Sequence, residues 1–346
     1  MPFKSNEPYL SITDGKIDPL SEIRNAGIVT NGQVFWVKSA SDSDYTTLKD
    51  QVGAGNFRDT PQDAIDLAVS DRNDYVLVTP TDGGTVRALG TAIDINEDRV
   101  HMLGVGGKPP PMAYNGLTFR GYVAASGIDT ELVSVTGAGV ELGGLKFLGT
   151  SGTAAGGTIT SHLRLGTAAS GTPHDFRGHD LQVESTQAAA ANGTAPIVLI
   201  TGDVATGISG IRFDRSWIGN ASWAPTPVVS IVGTAGPERP QFHDTTFVMD
   251  AQATTDAFFT GGTGATGYIM FKDCEFINVE SGTACASVYS GIALADNPVL
   301  FRNCVGVNVT QLGSGAEFYK SPVASGTSAA LRDYQIAVGT AALTPV

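Results

Sequence analysis

Three aspartates, Asp214, Asp244 and Asp273, recur in an aromatic-rich phrase and are the residues best suited to acid–base chemistry. If the phrases stack in layers, Asp244 and Asp273 fall on neighbouring layers and Asp214 joins them. Their separation would then approach the ~5–5.5 Å at which two carboxylates act as acid and nucleophile in retaining glycoside hydrolysis. Two plainer readings compete. An Asp at a chain corner commonly hydrogen-bonds backbone amides of its own turn, and Asn303 in the next copy suits that task equally well. A stack of carboxylates also suits a cation. The corner reading ranks first, the cation site second and catalysis third.

The other reactive side chains form no recognisable set. His101, His162, His174, His179 and His243 make no His-x-His or His-Glu-x-x-His pattern. His179 and His243 fall two layers apart, too far to share a ligand. Arg212, Arg215 and Arg239 have no cluster of three acids beside them in sequence. Gly104-Val105-Gly106-Gly107 runs into Lys108-Pro109-Pro110-Pro111, which denies the helix N-terminus a phosphate loop needs. Neither a cofactor nor a metal is expected. Trp223, near Asn220, is a candidate platform for stacking a sugar; Trp217 is read as filling an interior aromatic slot and therefore as buried.

What must position these residues is a repeat. Phe242-His243-Asp244-Thr245-Thr246-Phe247 is followed by Phe271-Lys272-Asp273-Cys274-Glu275-Phe276 and Phe301-Arg302-Asn303-Cys304-Val305-Gly306. Phe176-Arg177-Gly178-His179-Asp180-Leu181 precedes them, and Phe213-Asp214-Arg215-Ser216-Trp217 is the same phrase one residue shorter. Marked at Gly178, Asp214, Asp244, Asp273 and Asn303, the copies lie 36, 30, 29 and 30 residues apart. Each carries a β-branched partner strand upstream, such as Ile197–Ile200 or Val228–Ile231. Gly, Thr and Val are poor helix formers, and alternation over four to six residues dominates. Two or three strands per ~30 residues are too few for a propeller blade. One coil of a parallel β-helix fits, with equivalent residues stacking ~4.8 Å apart. Cys304 then lies on Cys274 as a pair of stacked interior thiols.

Composition narrows the classes. The 346 residues include 43 glycines, and only 16% are charged, against roughly 25% in an ordinary domain. Hydroxyls, amides and backbone must therefore cover much of the surface. Hydrophobic residues at 42% argue against disorder. A net charge of −13 without any Lys/Arg-rich run disfavours nucleic acid. No 18-residue apolar stretch is present for a membrane span. The start, Met1-Pro2-Phe3-Lys4, does not read as a secretory signal. Three cysteines without metal-ligand spacing read as reduced thiols of a protein made in a cytoplasm.

The first third differs in texture. Val34-Phe35-Trp36-Val37 is a strong strand. Thr60 as N-cap and Pro61 at the first helical position predict a short helix. Its expected apolar face is Ala64, Ile65, Leu67, Ala68 and Val69. Tyr75–Val78 is the next strand. A helix placed there would cover the open end of a solenoid.

This order of aromatic strand, Thr-Pro-capped helix with Ala64-Ile65-Asp66-Leu67-Ala68, Val-rich strand and Gly-rich coils resembles the pectate-lyase-like right-handed parallel β-helix virion proteins of tailed bacteriophages. The resemblance spans residues 33 to 310. It implies an all-β, single-stranded right-handed solenoid with a short N-terminal capping helix, assembled as a homotrimer. It also implies residence on a virion assembled in the host cytoplasm, with the major capsid protein or another virion protein as partner. Residues 1–32 would then be a docking arm and 311–346 a C-terminal cap or oligomerisation tail. The functional expectation is a non-enzymatic capsid decoration or spike. The alternative is a tail spike that binds or cleaves bacterial surface polysaccharide, with Asp214, Asp244 and Asp273 as its acids.

Overall fold

The computed structural model describes residues 32–79, 92–105, 131–149, 161–167, 173–185, 196–201, 208–219, 227–232, 239–261, 269–280, 282–291 and 299–314, with short strands at Ile12–Thr13, Lys16–Ile17, Arg87–Leu89 and Tyr122–Ala125. Apart from one two-stranded antiparallel ladder (Ile12–Thr13 with Lys16–Ile17), every strand pair is parallel. The strands form one ten-stranded sheet, here sheet I, and two eight-stranded sheets, II and III. From Asp74 onward the chain visits I, II and III in rotation, and each strand pairs with its counterpart one rotation later. The last described strand, Val309–Ser314, lies in sheet III.

Period-two alternation explains the register. In sheet I, Phe213 pairs with Phe242, Phe242 with Phe271 and Phe271 with Phe301. Sheet II aligns Val183, Ile218, Phe247 and Phe276, while sheet III aligns Leu163, Val198 and Val229. These inward columns join one continuous core that extends from Phe35 to Cys304. Rings of adjacent rungs stack nearly flat in sheet I, with Phe213 and Phe242 centroids 5.4 Å apart and their planes 8° apart. Across the core they meet edge-on, as Phe247 meets Phe259 at 4.8 Å and 74°. Burying each ring contributes roughly 1.5–3 kcal/mol.

Sheets I and II are joined, rung after rung, by the same two-residue corner. Gly144, Asp180, Arg215, Asp244, Asp273 and Asn303 take its first place, each in the left-handed backbone region. The N–H of that residue donates to a carbonyl of the following rung: Asp180 to Asp214, Arg215 to His243, Asp244 to Lys272, and Asp273 to Arg302. Asp and Asn tolerate this conformation better than most non-glycine residues. The second place turns inward and holds Leu145, Leu181, Ser216, Thr245, Cys274 and Cys304, all buried. Where that residue bears a hydroxyl or thiol, it donates to the carbonyl two residues back. Ser216 reaches Asp214 at 2.9 Å, Thr245 reaches His243 at 2.9 Å and Cys304 reaches Arg302 at 3.3 Å.

Among the described residues, two α-helices and a short 3-10 turn at Ala54–Asn56 accompany the first rungs. Thr60 caps the Pro61–Ile65 helix, its hydroxyl oxygen accepting from the Asp63 amide at 3.2 Å. Ala64, Ile65 and Ala68 enter the main core, but Leu67 and Val69 are exposed. The helix ends at Ile65, so the expected apolar face loses its last turn. Tyr45–Val52 is a second helix that sequence reading passed over. Tyr45, Leu48 and Val52, spaced at helical intervals, pack on the outer face of sheet I against Val34, Trp36, Tyr75 and Leu77. Asp74, fully buried at the start of its strand, fastens the connection. Its carboxylate accepts from Arg72 Nη2 at 2.7 Å and from the amides of Gln33 and Val69.

Candidate functional site

Beyond the helix-covered first rungs, the outer face of sheet I becomes polar. Strand alternation leaves two outward columns. One runs Tyr75, His101, Glu141, Arg177 and Arg212; the other runs Gly143, His179, Asp214, His243 and Lys272. Residues far apart in sequence thus become neighbours one rung apart.

Glu141 is the hub. Its Oε2 lies 2.9 Å from His101 Nδ1 and its Oε1 lies 3.1 Å from His179 Nε2. His179 Nδ1 is 2.8 Å from Asp180 Oδ2, and Asp180 is gripped in two-pronged fashion by Arg215 at 2.7 and 2.9 Å. Burial alone would raise the Glu141 pKa, but hydrogen bonds and charge from the two imidazoles hold it well below the usual carboxylate range. The same balance lowers Asp180, through His179 and Arg215. For His179, burial opposes protonation, yet Asp180 and Glu141 prevail and raise its pKa. Tyr75 stacks on the His101 ring at 4.5 Å and 14°. Burial, with the Glu141 charge, pushes its phenol up to about 12.

Gly143 admits this geometry. A Cβ there would stand 2.4 Å from His179 Cε1 and 2.5 Å from Nε2, so only glycine lets the imidazole lie across the strand towards Glu141.

Asp214 anchors the next rungs. Arg212 Nε hydrogen-bonds its Oδ1 at 2.8 Å, Arg177 Nε lies 3.6 Å from Oδ2, and His243 Nδ1 lies 3.4 Å from Oδ1. The Asp214 side chain is only 5% exposed, whereas Arg177 and Arg212 are 52% and 48% exposed. The carboxylate therefore lies beneath the guanidinium groups and orients them outward. Burial and the neighbouring Arg212 lower the His243 pKa despite Asp214.

The three aspartates singled out by sequence do not form one set. Asp214 pairs in register with His179 and His243, and Arg215 takes the corner place beside Asp180 and Asp244. The shortened phrase misled the alignment: matching it by its Asp rather than its Phe shifts the residue by one position, from corner to strand. Asp244 and Asp273 do occupy consecutive corners. Asp273 accepts from Asn303 Nδ2 at 2.7 Å and lies 3.7 Å from Lys272 Nζ. Its carboxylate thus serves the next rung, while the backbone secures the corner. Trp217 is buried but pairs with Gln182 and Thr246, one position away from the interior column held by Ile218. Trp223 and Gly106–Pro111 lie outside the described residues.

Among the described residues, no group of three or more His, Cys, Asp or Glu side chains is placed to hold a metal ion. Among them, no helix is long and apolar enough to cross a membrane. His101 and Glu141 carried no local signal. They are 40 residues apart and stand outside the recurring phrase. Only the alignment of coils reveals them. No family model, curated protein or solved structure matches the chain.

Proposed function

We propose that the three sheets wind as a right-handed parallel β-helix, closed at its first coil by the Pro61–Ile65 helix, and that the chain is a non-enzymatic structural module. Parallel crossovers within a sheet are overwhelmingly right-handed. The helix contributes Ala64 and Ile65 to the core at the end where the first strands lie. The observation that carries the structural reading is the unbroken register, with phenylalanines on consecutive rungs from Phe213 to Phe301. Such a stack is stiff, and each rung supports the next. The ionisable groups of sheet I hold one another in ion pairs, an arrangement that positions side chains without presenting a nucleophile and base to a substrate.

Together with the resemblance of residues 33 to 310 to tailed-phage virion proteins, this supports a homotrimeric decoration or spike attached to a capsid. The test is a cryo-EM reconstruction of the native assembly containing the chain. Threefold density at capsid-lattice points is the expected result. Density at a tail tip, or a chain attached to no particle, overturns it and directs attention to polysaccharide binding.

A further inference from the structure

Cys274 and Cys304 hold the inward place of the same corner on consecutive rungs. Lys272 pairs with Arg302 and Glu275 with Val305, so the two cysteines lie directly across one inter-strand step. The Val305 amide donates to the Cys274 carbonyl at 2.9 Å, which holds that step closed. Parallel neighbours stand ~4.8 Å apart, inside the range of about 4.4–6.8 Å between Cα atoms that a disulfide spans. Both side chains are buried, at 1% and 5% exposure, and both are free thiols. Each thiol donates to backbone carbonyls, Cys274 to Phe242 and Lys272 and Cys304 to Phe271 and Arg302. Burial raises the Cys274 thiol far above its ordinary value, while the Cys274 thiol beside it lowers Cys304. Cys285 is no competitor: it pairs with Val309 in sheet III, and its thiol donates to the Asp256 and Ser287 carbonyls.

We propose that Cys274 and Cys304 are a peroxide-sensitive site that closes into a disulfide between the last two described rungs. Hydrogen peroxide is the oxidant, chosen for its small size because the two side chains are only 1% and 5% exposed. The Cys304 thiolate attacks one peroxide oxygen and the O–O bond breaks. A sulfenic acid forms, and the departing hydroxide takes up the thiol proton as water. The Cys274 thiol then attacks the sulfenic sulfur, giving up its proton as the S–S bond forms. The S–O bond breaks, and hydroxide leaves with the Cys274 proton as a second water. Two thiols and one peroxide become one disulfide and two waters.

The consequence is local. Val305 and Val307 on the last described rung are 53% and 47% exposed, so this rung is less covered than those before it. A covalent link to Cys274 ties it to its neighbour and restricts the unfolded chain.

The experiment uses the full chain, folded, incubated with hydrogen peroxide, quenched and then unfolded for thiol counting. Free thiols should fall from three to one, with loss of two hydrogen masses and a Cys274–Cys304 linked peptide in the digest. The melting temperature should rise by several degrees and return on reduction with dithiothreitol. In Cys285→Ser the count should fall from two to none. Three surviving thiols, a link through Cys285, an intermolecular link, or over-oxidation of Cys304 without a link would each overturn the proposal.

Discussion

Gly143 and His179 are neighbours across one rung, and the side chain the first lacks leaves the space that the imidazole of the second occupies. Gly143→Ala should displace the ring and part His179 from Glu141. The raised His179 pKa should then fall back toward ~6.5, as read by NMR titration of its ring protons. Stability follows from the same pair. The depressed Glu141 contributes stability that is present above its unfolded pKa of ~4.3 and is lost as pH falls through the folded value. The raised His179 contributes stability present below ~6.5 and lost as pH rises through its folded pKa. The contribution is therefore largest in between, and Gly143→Ala should flatten both shoulders of the stability curve. At pH 6 the loss should be roughly 1–3 kcal/mol, and an unchanged His179 titration would refute this account.

His162 titrates for the opposite reason. It is buried, neither ring nitrogen has a hydrogen-bond partner among the described residues, and burial pulls its pKa down to about 4. Between that value and ~6.5 the unfolded chain binds the proton and the folded one resists it, so stability rises with pH across the window. Acidification through it should cost roughly 3 kcal/mol. His162→Leu should remove that slope in urea titrations at pH 4.5 and 7; an equal slope in both proteins would locate the acid sensitivity elsewhere.

Phe242 touches the rings above and below it and two more across the core. Phe242→Ala should destabilise by about 3–5 kcal/mol, and Phe242→Leu by appreciably less. Chemical denaturation monitored by circular dichroism would measure both. Near-equal stability of the Ala variant would mean the stack tolerates a void.

Asp244 and Asp273 discriminate between a corner and a catalytic role. With φ of 48° at Asp244, Asp244→Val should cost about 1–2 kcal/mol, while Asp244→Gly and Asp244→Asn should melt close to the parent. Should Asp244→Asn fold normally yet abolish cleavage of a bacterial polysaccharide, catalysis would replace the structural reading.

The repeat, the parallel sheets and the Thr60–Pro61 helix start were legible because each rests on local residue chemistry: alternation, stacked aromatics and a capping hydroxyl. The polar face of sheet I was not. Its hub joins His101, Glu141 and His179, whose proximity depends on coil lengths that vary from rung to rung. Asp214 shows how fine the margin is, since aligning Phe213 with Phe242 puts it beside histidines and aligning the aspartates puts it at the corner. The Tyr45–Val52 helix escaped notice because only three of its positions are apolar, and its partners are the outward residues of the first strands.

The corner between sheets I and II also decides where this scaffold accepts change. In six successive rungs it spans two residues with a left-handed φ at the first, and in the first five of them a backbone hydrogen bond locks it to the next layer. Among these six rungs, the variation in length, from 29 residues between Phe242 and Phe271 to 36 between Leu142 and Gly178, is absorbed at the other two edges. That seam is the spine of the molecule. Foreign loops grafted along the opposite edges would be displayed at layer-by-layer spacing, whereas a single residue inserted into the spine would throw every rung beyond it out of step.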